Sequence, residues 1–346
     1  MLTSKQVKEI REHLEKAQNP VFFFDNDQDG LCSFLLLRRF IERGKGVAVR
    51  SFPEMDKNYF RKVNELEADY IFILDKPVVN KSFFDEAHKY NIPVVMIDHH
   101  ETQCIIPEFV NYFNPFVDGK NQEAVAGFCY QITQKKKDLW IAIVGCVSDY
   151  FIPDFYSEFK KQYPDLSLNS DKPFDIFYGS GIGKVGQIFG AGLKDTTTKV
   201  VKMLKFLIKV KSPYEILDEE NKKYSFYKRF ELIDKKIQKF IKKAIEENKN
   251  SEIVFFKYGG DMSISRELAE TLRYKFPNKT VVVGYESQGK INISIRGEKI
   301  KNKILKVLEG FENATGGGHE NAIGVSIQTK DWDRFVEEVG RVLKSH

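Results

Sequence analysis

Asp98-His99-His100 follows four apolar residues, 94–97, so one carboxylate and two imidazoles leave the end of what reads as a buried strand. Three other apolar segments end in the same way. Residues 21–24 run into Asp25-Asn26-Asp27-Gln28-Asp29-Gly30, residues 70–74 into Asp75, and residues 141–145 lead to Asp149. Open α/β sheets place their ligands at the carboxyl ends of strands, so four pieces of chain predict one site. The donors are oxygen-rich, supplemented by imidazole and without thiolates. That mixture suits Mn²⁺ or Mg²⁺, and the imidazole tilts it toward Mn²⁺. The candidate ligands exceed what one ion needs, which predicts two ions roughly 3.5–4 Å apart, acting on water and phosphate oxygens.

Asp25, Asp27 and Asp29 alternate, so an extended chain would point them to one side, and Gly30 would let the backbone turn into the next helix. Three close carboxylates repel one another unless a cation sits between them. Any one of these aspartates, taken singly, is as readily a helix cap as a ligand. Together they are not explained that way. His13, His88 and His346 stand in polar helical or terminal contexts and are expected at the surface.

A second signature lies near the end of the chain, Gly316-Gly317-Gly318-His319. Three glycines expose backbone N–H groups and predict an anion-binding loop, beside which His319 can donate to a phosphate. Arg296, at the end of the apolar stretch 291–295, offers a bidentate phosphate donor. The first domain is expected to cut and the second to hold the substrate.

The elements that must position these groups alternate. Helix is expected at 4–18, 31–42, 59–66, 81–90 and 123–134, with strands at 21–24, 47–52, 70–74 and 93–97. Residues 138–148 fit a strand or a buried helix. The pattern predicts an α/β fold with a parallel, doubly wound sheet. Beyond Asp149 the text is irregular, with Pro153, Pro164 and Pro173, and its Gly-rich piece at 179–186 reads as a connector. Apolar residues at three- and four-residue steps predict one long helix over 222–247, its stripe packed on a domain and compatible with a dimer. Strands near 253–256, 280–285, 290–296 and 322–327, with helices at 264–275, 302–309 and from Trp332, form a smaller α/β domain. The expected boundaries are 1–190, 191–250 and 251–346.

The 346 residues favour two domains, and 42% hydrophobic content allows each a core. The first residues carry no apolar signal segment, and no apolar run approaches the roughly 18–20 residues that span a bilayer, which predicts a cytoplasmic protein without membrane contact. Cys32, Cys104, Cys129 and Cys146 lack C-x-x-C spacing and are expected to be reduced, packed thiols. The net charge of +5 is uneven: residues 194–250 hold sixteen Lys/Arg against nine Asp/Glu. A basic run of this kind suits a polyanion, although on charge alone a solvated helix is the better reading.

These motifs carry a resemblance. The chain resembles the DHH phosphoesterase superfamily, in the branch with a DHHA1 second domain. Residues 25–30 are similar to the D-x-D-x-D-G first motif of RecJ-like nucleases, and Asp75 stands at the second. Asp98-His99-His100 is similar to the name-giving third, and Gly145-Cys146-Val147-Ser148-Asp149 to the fourth. Residues 316–324 resemble the DHHA1 G-G-x-x-x-A-x-G signature, and Ser294-Ile295-Arg296 its S-x-R contact.

The resemblance implies that Asp25, Asp27, Asp29, Asp75, His99 and Asp149 hold metal, with Asp98 close by. It implies that His100, Asp98 and Asp29 serve catalysis, and that Arg296, His319 and the glycines grip a substrate phosphate. It further implies a Mn²⁺-dependent exonuclease that degrades single-stranded DNA or RNA to 5′-mononucleotides. The alternatives are a phosphodiesterase for very short substrates, such as nanoRNA, linear dinucleotides or 3′-phosphoadenosine 5′-phosphate, and a non-catalytic replication scaffold. Compact, Lys-rich chains of this kind resemble archaeal members, including those that join replication or repair proteins. Three departures stand out. Lys76-Pro77 follows Asp75 and alters the charge there, residues 149–222 match no motif, and no OB-fold is evident.

Overall fold

The computed structural model describes the chain except residues 51–54, 102–103, 116–122, 250 and 345–346, together with the His319 side chain. His346 and positions 51–52 of the strand expected at 47–52 therefore lie outside the described residues. Contacts divide the chain into two compact units, Met1–Phe230 and Glu231–His346.

The first unit begins with α1 (Ser4–Lys16), β1 (Pro20–Asp25), α2 (Gln28–Ile41), β2 (Lys45–Val49) and α3 (Lys57–Glu65). It continues with β3 (Tyr70–Leu74), α4 (Lys81–Lys89), β4 (Val94–Ile97), β5 (Val110–Phe113), α5 (Val125–Thr133) and α6 (Leu139–Ser148). All five strands are parallel, in the order β2-β1-β3-β4-β5. Strands alternate their side chains between faces, and both faces here are covered. Phe22, Phe24, Phe72, Leu74, Val95 and Ile97 enter one core with α1, α2, α5 and α6. Val21, Phe23, Ile71, Ile73, Val94 and Met96 enter the other, against Phe60 and Val63 of α3 and Phe83 and Phe84 of α4. This explains why β1, β3 and β4 read as unbroken apolar runs.

The strand order reverses between β1 and β3, so a crevice opens at their carboxyl ends. The ladder runs one residue past the strands. Asp75 N–H donates to the Ile97 carbonyl at 2.9 Å, and Asp98 N–H to the Phe113 carbonyl at 3.1 Å. Both residues are thereby held at the carboxyl end of the sheet.

The ambiguous segment 138–148 is helical, as α6. From Leu139 to Val147 every residue is buried, so no polar face marks the helical period. The irregular region beyond Asp149 is also mostly helical, which corrects the connector reading: α7 (Tyr156–Gln162), α8 (Pro173–Gly179), α9 (Gly181–Leu193), α10 (Thr197–Leu207) and α11 (Pro213–Leu217) follow. Pro173 and Pro213 start their helices at a position where no N–H is needed. The glycines of α9 serve packing. A Cβ on Gly183 would stand 2.1 Å from the Phe177 carbonyl oxygen.

Helix α12 (Ser225–Glu247) carries the expected stripe. Phe226 and Tyr227 join the core of the first unit, whereas Ile233, Ile237, Ile241 and Ala244 are buried further along and Phe240 packs on Phe256 and Tyr258. The face that suggested a dimer is thus largely covered by its own chain.

In the second unit, β6 (Ile253–Gly259), α13 (Ser265–Lys275), β7 (Thr280–Ser287), β8 (Lys290–Arg296), α14 (Lys301–Leu308), β9 (Thr315–His319), β10 (Ala322–Gln328) and α15 (Trp332–Lys344) follow in order. They form a five-stranded sheet, β6-β7-β8-β10-β9, in which only β6 and β7 pair in parallel. The three glycines are not a loop: Gly316, Gly317 and Gly318 lie in the edge strand β9, paired with Val325, Gly324 and Ile323. A Cβ on Gly316 would stand 2.4 Å from Leu308 Cδ1, so that side chain would have to shift to admit one. All four cysteines are free, and Cys32, Cys129 and Cys146 are buried in the first unit.

Candidate metal centre

The first motif is not one extended run. Asp25 ends β1, Asp27 is the N-cap of α2, and Asp29 sits in that helix's first turn. The Asp27 carboxylate accepts from Gly30 N–H at 3.0 Å, which ends the strand and starts the helix. Gly30 is required because α2 begins against β1: a Cβ there would stand 2.5 Å from the Asp25 carbonyl oxygen.

Asp29, 2% exposed, spans to another helix. Its two oxygens accept from Val125 N–H and Ala126 N–H, each at 2.8 Å, at the start of α5, where the N-cap Ala124 has no side chain to offer. One carboxylate therefore caps a helix 96 residues away. Gly145 in α6 lets this packing close, since a Cβ there would meet Ala126 Cβ at 2.4 Å and Asp29 Oδ1 at 3.2 Å. The glycine of the fourth motif is a packing residue, four positions before Asp149, which ends α6.

Asp75 adopts the left-handed conformation, φ 58°, a state that aspartate tolerates better than most residues. Its side chain is 3% exposed and lies among the imidazoles. His99 Nε2 is 3.3 Å and His100 Nδ1 3.8 Å from Asp75 Oδ1. His99 Nδ1 lies 3.0 Å from the Glu123 carbonyl, and a carbonyl only accepts, so Nδ1 carries the proton. His99 Nε2 then presents a lone pair toward Asp75. His100 Nδ1 donates to Asp98 Oδ1 at 2.8 Å, and Asp98 is wholly buried. Each imidazole is thus oriented by an acceptor, as metal-binding histidines usually are.

The fit of a cation follows from what is left over. Asp75 Oδ1 is buried without a hydrogen-bond donor, and so is Asp98 Oδ2. An acceptor facing a lone pair at 3.3 Å needs a proton or a cation between them. Asp75, His99 and His100 form one group of candidate ligand atoms mutually within 4.8 Å, and Asp29, His99 and Asp149 form another. Asp25 and Asp27 enter neither group among the described residues. Asp25 is instead paired with Lys76, whose Nζ lies 2.6 Å from Asp25 Oδ1.

The electrostatics carry the same message. Burial, and then repulsion from Asp149, pushes the Asp29 carboxyl up to about 7. Burial and Asp27 push Asp25 up to about 6, against the pull of Lys76. Asp75 is driven well above the carboxylate range by burial and by Asp29, Asp27, Asp149 and Asp25. Burial lowers His99, while His100 is raised because Asp98 outweighs burial. The carboxylates are too many for their own stability in a low-dielectric pocket.

In the second unit, Arg296 ends β8 and its guanidinium donates to Glu270 Oε1 at 3.0 Å, with both side chains mostly buried. The same oxygen accepts from Arg266 at 3.3 Å. Sequence reasoning placed Arg296 at a strand end but missed Glu270, which lies on α13. His319 closes β9, and its side chain lies outside the described residues.

Residues 21–148 match the DHH family, N-terminal domain, and residues 238–345 match the DHHA1 domain. The chain belongs to the DHH/DHHA1 superfamily. No curated protein matches its sequence significantly. Its fold is shared by several solved structures at low identity. RecJ from Thermus thermophilus in complex with Mn²⁺ is 14% identical with a TM-score of 0.70, covering 97% of this chain and 54% of RecJ. This DHH chain thus spans about half of that protein. An exonuclease RecJ bound to manganese is 13% identical with a TM-score of 0.66, covering 100% and 96% of the two chains. A pGpG-specific phosphodiesterase from Vibrio is 15% identical with a TM-score of 0.50, covering 95% and 100%. DHH family members are phosphoesterases, so the chain is read as an enzyme of that class. No described helix of this DHH protein is long and apolar enough to cross a membrane.

Proposed function

We propose that the protein is a divalent-cation-dependent phosphodiesterase that removes 5′-mononucleotides from one end of single-stranded nucleic acid. The observation that carries the reading is the orphaned Asp75 Oδ1, buried beside the free nitrogen of His99 at the carboxyl edge of the parallel sheet. The aspartate in the first position of the D-x-D-x-D-G motif and the manganese-bound RecJ structures of the same fold favour a nuclease and Mn²⁺. A bound divalent cation supplies polarisation of a phosphoryl oxygen and lowers the pKa of a water. Asp29, Asp75, His99 and Asp149 are the groups that would hold it. Asp98 fixes the His100 ring through Nδ1 and favours its imidazolium form, whose Nε2–H would donate a hydrogen bond to a phosphate oxygen.

Arg296 is assigned to the substrate phosphate. Glu270 pre-orients its guanidinium and also keeps Arg266 when Arg296 is removed. Arg296→Ala should therefore raise KM about 10–100-fold, the size of one charge-assisted hydrogen bond, with kcat little changed. A fall in kcat at constant KM would reassign the residue.

The reaction is tested with end-labelled single-stranded DNA and RNA and Mn²⁺. Oligomers of about 20 nucleotides exceed the roughly 4–16 nucleotides that one single-strand site typically covers. A ladder descending from one end is expected. Cleavage confined to a labelled dinucleotide would transfer the assignment to short substrates.

A further inference from the structure

The sequence expectation is a site for two ions, and Lys76 stands among the groups meant to hold them. It follows Asp75, whose left-handed backbone turns the chain at the end of β3. Its side chain is 5% exposed, with Nζ 2.6 Å from Asp25 Oδ1 and 3.4 Å from the Arg50 carbonyl. A buried ammonium needs a carboxylate, and the carboxylate it takes is the first of the metal motif. Asp25 is therefore neutralised by the protein itself. A cation could take that carboxylate only by leaving Lys76 buried and unpaired, or by sharing it at the cost of standing beside the ammonium.

A second observation is independent of the lysine. Both candidate ligand groups require His99. With Nδ1–H given to the Glu123 carbonyl, His99 has one nitrogen to offer, and one imidazole nitrogen serves one ion. Nε2 faces Asp75 at 3.3 Å, whereas the nitrogen toward Asp149 is the protonated Nδ1, 3.7 Å from Asp149 Oδ2, so only one cation can take this imidazole as a ligand.

We infer that the Lys76 ammonium takes the place of a second divalent ion, so that this site binds one Mn²⁺ through the Asp29, Asp75, His99 and Asp149 side and leaves Asp25 to the lysine. The inference rests on the divalent-cation reading of the site. It departs from the two-ion expectation in the number of ions and in the role of Asp25, which becomes the lysine's counter-charge.

The test is metal stoichiometry on the full chain, stripped of metal and titrated with Mn²⁺ alone, followed by calorimetry and electron paramagnetic resonance. The parent should bind one equivalent and show the spectrum of an isolated ion. Lys76→Met, close in volume but uncharged, should bind two and show the exchange coupling of ions roughly 3.5–4 Å apart. Lys76→Arg, which keeps the charge, should remain at one. Should Lys76→Met fail to fold, the double change Asp25→Asn with Lys76→Met, which removes both charges of the pair together, carries the test: Mn²⁺ affinity should stay within a few-fold of the parent, whereas a loss of about 10–100-fold would return Asp25 to the ligands and overturn the inference. Two equivalents in the parent, or one in Lys76→Met, would also overturn it while leaving the cation reading in place. A parent that binds no Mn²⁺ would remove that reading together with the inference.

Discussion

Asp75→Asn is expected to abolish phosphodiester cleavage and, in the absence of metal, to melt at a higher temperature than the parent. The two effects share one cause. Asp75 is buried among Asp29, Asp27, Asp149 and Asp25, and its Oδ1 faces the lone pair of His99 Nε2 with no donor between them. An asparagine of nearly the same shape removes a repelled charge and can turn an N–H toward that nitrogen. At a pH high enough to ionise Asp75, the metal-free fold loses a penalty and gains a hydrogen bond; at lower pH the Asp75 proton already fills the gap and the difference narrows. The same change removes the anionic oxygen that a cation needs, so turnover should fall by about 10³-fold or more, or about 4 kcal/mol of transition-state stabilisation. Steady-state rates with Mn²⁺ and a melting curve in chelator check the two halves separately. An active Asp75→Asn, or one that melts lower than the parent without metal, would contradict the site as drawn.

The second large effect is that Mn²⁺ should stabilise the protein far more at pH 8 than at pH 5. Asp29 is raised to about 7 and Asp25 to about 6 from a reference of 3.8. Between the unfolded and folded values the native state binds more protons than the unfolded chain, so metal-free stability falls as pH rises. The contribution is fully present below about 4 and lost as pH passes through 6 and then 7. A cation that replaces the Asp29 proton restores that part, while Asp25 stays with Lys76. At pH 8, Mn²⁺ at about 100 times its Kd should add about 2.7 kcal/mol, or roughly 5–10 °C for a unit of this size. At pH 5 protons compete for the same oxygens, and the gain should be much smaller. Thermal unfolding with and without Mn²⁺ at both pH values decides the matter, and equal shifts would exclude the carboxylates as the binding groups.

What could be read in the sequence was the part that strands enforce. A parallel strand buried on both faces must be apolar along its length, so a charged residue directly after it marks its carboxyl end, and Asp25, Asp75 and Asp98 were found this way. Less regular elements left weaker marks. Strand β5, Val-Asn-Tyr-Phe, lies at the sheet edge and carries only two fully buried residues, and β9 is built on glycines that read as a turn. Helix α6 hid its period by being buried all round. Long-range pairings were beyond local pattern. That Asp29 caps α5, that Asp25 pairs with Lys76 and that Glu270 holds Arg296 depend on contacts across 96, 51 and 26 positions. The first of these also shows that capping and metal ligation, weighed as rivals for each aspartate, need not exclude one another. Asp29 uses both oxygens as caps and still stands within reach of His99 and Asp149.

The three buried cysteines bear on which cations the pocket will refuse. Cys32, Cys129 and Cys146 all lie within the electrostatic reach of Asp29, and burial together with that negative charge drives each thiol far above its ordinary range. Sulfur is a strong ligand only as thiolate. Zinc, cadmium and copper(I), the thiophilic ions, therefore find no anionic sulfur within the reach of Asp29. The same protonation slows attack by peroxide, since oxidation also begins from thiolate. With its nearby thiols buried and held protonated, the centre is left to oxygen and imidazole donors, which prefer hard cations.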